Sequence, residues 1–72
     1  MRKFRFTVIY IENRKLKHKQ INAYSAFLAC EDFKELKPSA EVLEAGLGSV
    51  KRESWHALKA KEQEIVKGIL GE

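Results

Sequence analysis

Cysteine is nearly absent from these 72 residues: Cys30 stands alone. One thiol forms no intramolecular disulfide and no metal framework of two or four thiolates, so the core must come from packing or self-association. Its solitude also favours a reducing compartment. No apolar run approaches the roughly 20 residues that a membrane-spanning helix needs. The opening "MRKFRFTVIYIENRK" carries its charges too early, and its apolar residues alternate, unlike a secretory leader. The chain is read as cytosolic. Catalytic signatures are also missing: there is no HExxH, no CxxC, no phosphate-cradling glycine loop and no serine elbow. His18 and His56 fall in different segments, and the adjacent Glu31 and Asp32 point apart on a helix. The expectation is a non-enzymatic chain with no cofactor, no metal, no membrane segment and no small-molecule substrate.

What is present is one domain, α+β, near the lower size at which a chain buries enough surface to fold unaided. Positions 3–11 read as a strand, with Phe4, Phe6, Val8 and Tyr10 on one parity and Arg5, Thr7, Ile9 and Ile11 on the other. A polar break, Glu12-Asn13-Arg14, suits a tight hairpin, because asparagine tolerates left-handed backbone. The next run, "KLKHKQINA", alternates again and sets Lys15, Lys17 and Lys19 on the parity of Ile21 and Ala23. Either a bulge re-aims this strand or its tip projects past the core, and the projecting tip is favoured.

Ser25 has the chemistry of a helix N-cap, and helix is expected over 26–37 with Ala26, Ala29, Cys30, Phe33 and Leu36 turned inward. Pro38 stops it. An inward Cys30 is a small hydrophobe with little reactivity. Val42 and Leu43 suggest a short third strand, and a helix is expected over 54–70, its stripe of Trp55, Leu58, Ile65 and Ile69 interrupted by Glu62. Lys59 with Glu62, and Lys61 with Glu64, are spaced to pair on its wet face. The order β-β-α-β-α implies a small antiparallel or mixed three-stranded sheet with one helix across it and a C-terminal amphipathic helix.

Charge is segregated: residues 1–20 sum to +6, 21–50 to −3 and 51–72 to +1. The basic end can attract phosphate or an acidic protein surface. Lys15, Lys17 and Lys19, spaced about 6.5–7 Å apart along a strand, approach the phosphate repeat of one nucleic-acid strand. Arg14 at the turn and Arg5 on the neighbouring strand widen that patch. No RNP aromatic pattern, GxxG clamp or zinc finger accompanies it, so nucleic-acid binding is the second expectation. The first is binding to a protein partner or to a second copy of the chain. Phe27 and Leu28 lie off the inward stripe, and Leu28 stands where a capping box would place Glu or Gln. They are the expected apolar anchors, with Trp55 of the tail, unless the tail helix covers them.

The segment "QINAYSAFLACEDFKELKPSAEVLEA" resembles the strand, capped helix and strand arrangement of many small bacterial and phage accessory proteins. Size and layout are similar to those of some phage-encoded inhibitors of bacterial defence systems. The resemblance covers about a third of the chain, carries no catalytic motif, and implies binding rather than catalysis.

Overall fold

The computed structural model describes residues 2–71. Its elements are β1 (Phe4–Glu12), β2 (Lys15–Ala23), α1 (Ala26–Leu36), β3 (Glu41–Leu47), α2 (Arg52–Ala60) and α3 (Glu62–Leu70). The three strands form one open sheet in the order β2-β1-β3, with β1 antiparallel to both neighbours. β2 and β3 therefore run the same way, and the chain passes between them through α1, across one face of the sheet. α2 and α3 cover the other face. The fold is α+β, in three layers.

The central position of β1 explains its composition. Phe6, Val8 and Tyr10 join the core under α1 with Ala23, Ala29 and Phe33, and the Tyr10 and Phe33 rings meet at 4.5 Å. Ile9 and Ile11 face the opposite way and pack with Leu16 and Val66, flanked by Leu43, Val50, Trp55, Leu58 and Ile65. Both faces of the strand are thus buried, which aromatic and β-branched residues fill well. Thr7 is the single buried polar residue among those described, and its hydroxyl donates to the Gly48 carbonyl.

The hairpin closes through Asn13 and Arg14, both at positive φ (53° and 62°), as a two-residue turn with the twist of its strands demands. The β1–β2 register runs unbroken from Phe4↔Ala23 to Glu12↔Lys15, so no bulge re-aims β2. The irregularity lies in β3 instead. Ile9 pairs with Glu44 and Tyr10 with Val42, which leaves Leu43 as an extra residue. That bulge lets Val42 join the α1 core and Leu43 the opposite one.

Three expectations change. The third strand covers all of Glu41–Leu47, because pairing with a buried central strand extends it beyond its two strong β-formers. The tail is two helices rather than one, broken at Lys61 (φ −104°, ψ 11°), whose amide turns to the Leu58 carbonyl. In α1 only Ala29 and Phe33 are fully buried; Cys30 is half-buried and Leu36, the last helical residue, is 64 % exposed. α1 ends at that residue, and Leu36 lies on the Ala29 flank of the stripe rather than at its centre.

Candidate interaction site

Ser25 caps α1 as expected: its hydroxyl accepts from the Leu28 amide at 3.2 Å, in extended backbone geometry. The cap fixes where the helical wheel begins. With Ala29 and Phe33 turned to the sheet, Phe27 and Leu28 must turn away, and they are 69 % and 40 % exposed. The tail helices do not reach them, because α2 and α3 pack on the far face of the sheet with Ile9, Ile11 and Leu16. Trp55 belongs to that far face and edges the His18 ring at 4.4 Å, so the sheet separates it from Phe27 and Leu28.

Two aromatic residues not singled out in the sequence extend the apolar end. Phe4 pairs with Ala23 at the start of the β1–β2 ladder, one step beyond the helix-covered Phe6, and is 48 % exposed. Tyr24, between that ladder and the cap, is 43 % exposed, with the Lys3 ammonium 5.5 Å from its ring centre. The topology thus brings Phe4, Tyr24, Phe27 and Leu28 to one end of the molecule. Phe4 was legible as the strand residue furthest from the turn; Tyr24 carried no periodic signal.

The basic residues divide. Lys15, Lys17 and Lys19 are exposed on the α1 side of edge strand β2, while Leu16 on its other side is buried. The tip therefore projects past α1 on one face and is covered on the other. Arg14 is exposed in the turn. Arg5 pairs with Asn22 near the opposite end of the hairpin and lies on the parity of Thr7 and Ile9, so it does not join the lysine row. Glu12 accepts from Lys17 at 3.1 Å and Lys37 at 3.0 Å. The Lys37 hydrogen bond, then that of Lys17, holds the Glu12 carboxyl below its ordinary value, and Glu12 raises Lys37 in turn.

A second polar construction seals part of the β2 edge. The Leu16 amide donates to Glu62 Oε2 at 2.7 Å, the Lys59 ammonium donates to the Leu16 carbonyl at 3.3 Å, and Lys59 and Glu62 pair with each other. The Lys59 hydrogen bond, then the Leu16 amide, lowers the Glu62 carboxyl below its ordinary value. The signal for this clamp was the acid interrupting the apolar stripe of the tail. Among the described residues Lys61 and Glu64 do not pair, and no group of three His, Cys, Asp or Glu is placed to hold a metal. None of the described helices is long and apolar enough to cross a membrane. No protein-family model, curated protein or solved structure matches this chain.

Proposed function

We propose that this chain is a small non-enzymatic interaction module that binds a protein partner through the exposed start of α1. The carrying observation is that Phe27 and Leu28 stand off the core on a capped helix, with the tail helices on the other side of the sheet. Phe4 and Tyr24 widen the apolar end, and Lys3 gives it a charged margin. Apolar anchors with charged surroundings are the usual centre of a protein contact. Covering the exposed part of Phe27 alone contributes roughly 1–2 kcal/mol, about ten-fold in affinity. The basic hairpin steers an acidic partner without being part of the anchor. The role fits a cytoplasmic accessory protein of the kind carried by phages and mobile elements.

A nucleic-acid reading rests on one observation, the exposed row of Lys15, Lys17 and Lys19. Glu12 already engages the middle lysine, and Arg5 lies on the other face, which leaves a narrower positive strip than the sequence suggested. The two readings separate in one experiment. Phe27→Ser with Leu28→Glu should keep the fold and abolish partner capture, while Lys17→Glu with Lys19→Glu should change only its salt dependence. Retention on DNA at low salt that is lost in the lysine variant, with capture unaffected by the Phe27 and Leu28 changes, would replace the first reading with the second.

A further inference from the structure

An open sheet has two edges, and this chain treats them differently. The β2 edge is defended at the hairpin tip: the Glu62–Lys59 clamp occupies both outward backbone groups of Leu16, and three lysines line the strand. The β3 edge carries its bulge and its two glutamates in the first half, and the stretch past Glu44 is uncovered. The Gly48 amide donates to the Arg5 carbonyl, so alternation along the ladder turns Gly46 and Glu44 toward β1 and leaves the amides and carbonyls of Ala45 and Leu47 facing outward. Among the described residues no hydrogen bond is formed by these outward groups. Leu47 is the most exposed large apolar residue described, at 71 %. β3 contains neither lysine nor proline.

We infer that β3 pairs antiparallel with β3 of a second copy, about a two-fold axis at Gly46, to make one continuous six-stranded sheet. This register sets both outward strand residues opposite outward strand residues and avoids the bulge at Leu43: Ala45 of each copy faces Leu47 of the other, whereas an axis at Leu47 would leave Ala45 opposite a residue beyond the strand. Leu47 then covers the partner's Ala45 on the α1 side of the sheet. Charge agrees with the antiparallel sense. Glu41 and Glu44 pair with Ile11 and Ile9 and so lie on the α2–α3 side, at the beginning of the strand. Lys51 and Arg52 follow its end, in a segment that packs on the same side through Val50. Antiparallel pairing brings the acids of one copy alongside the bases of the other, whereas parallel pairing would set like against like. The contact is isologous: each copy uses the same edge, and the two β3 edges close on each other at two copies.

The association is independent of the α1 site, and the measurement distinguishes them. Sedimentation equilibrium of the full chain from about 10 µM to about 1 mM should show twice the chain mass of 8.3 kDa at the upper end. Leu47→Lys should return it to the single-chain mass with its far-UV spectrum intact. Glu41→Lys with Glu44→Lys should weaken the dimer by about ten-fold or more, and adding Lys51→Glu with Arg52→Glu should restore it. Phe27→Ser with Leu28→Glu should leave it unchanged. Single-chain mass throughout the range, a dimer that survives Leu47→Lys, failure of the charge swap to restore association, or loss of the dimer in the Phe27 and Leu28 variant would each overturn the inference.

Discussion

Phe27 and Phe33 are the same residue type on one helix, fewer than two turns apart, yet their replacement should have opposite consequences. Phe33 is completely buried and meets the Tyr10 ring at 4.5 Å. Phe33→Leu removes three carbons, worth roughly 2 kcal/mol at about 0.8 kcal/mol per buried carbon, and loss of the ring pair adds about 0.5–1.5 kcal/mol. In a domain this small, about 1 kcal/mol moves the melting temperature by about 4–8 °C, so a fall of roughly 10–30 °C is expected. Phe27→Ser removes a side chain that is 69 % exposed and should stay within about 0.5 kcal/mol of the parent. Thermal melts followed by far-UV circular dichroism, with urea titrations to obtain free energies, make the comparison. A Phe27→Ser cost above about 1 kcal/mol would show that Phe27 is part of the core, and the proposed α1 site would fall with it.

Acid should loosen the clamp on β2. The folded Glu62 carboxyl lies below its unfolded value of 4.5, so its contribution is complete above that pH and is lost as pH falls through the folded value. The melting-temperature gap between the parent and Glu62→Gln should therefore be widest near neutrality and close below pH 4.5; a constant gap down to pH 3 would refute the ionised clamp. The Ser25 hydroxyl accepts from the Leu28 amide at 3.2 Å, so Ser25→Ala should cost about 1 kcal/mol and lower the melting temperature by about 4–8 °C in the same melts. An unchanged melting temperature would show that the cap contributes nothing to the start of α1.

Local chemistry and periodicity were enough to locate the hairpin, the Ser25 cap and the position of Phe27 and Leu28 off the inward stripe of α1, while whether the tail covers them was decided by where α2 and α3 pack. A cap hydroxyl, a positive-φ turn and a helical wheel are short-range constraints, and the residues that satisfy them are sequence neighbours. Periodicity also showed that the tail is amphipathic. It did not show the break at Lys61, beside which Glu62 meets a backbone amide of β2, 46 residues away along the chain, a contact that no local pattern records.

Taken alone, the sequence determined the α+β class, the order of the first four elements and the inward side of α1 at Ala29 and Phe33, since these follow from spacing within single segments. Only the tertiary structure decided that β1 is central and β3 an open edge, that the extra residue belongs to β3 rather than β2, and that Trp55 and Phe27 lie on opposite sides of the sheet. Alternation states that a strand has two faces but not what covers either one. That depends on which strand pairs with which and on where α2 and α3 pack, and both are set by contacts between segments that share no local pattern.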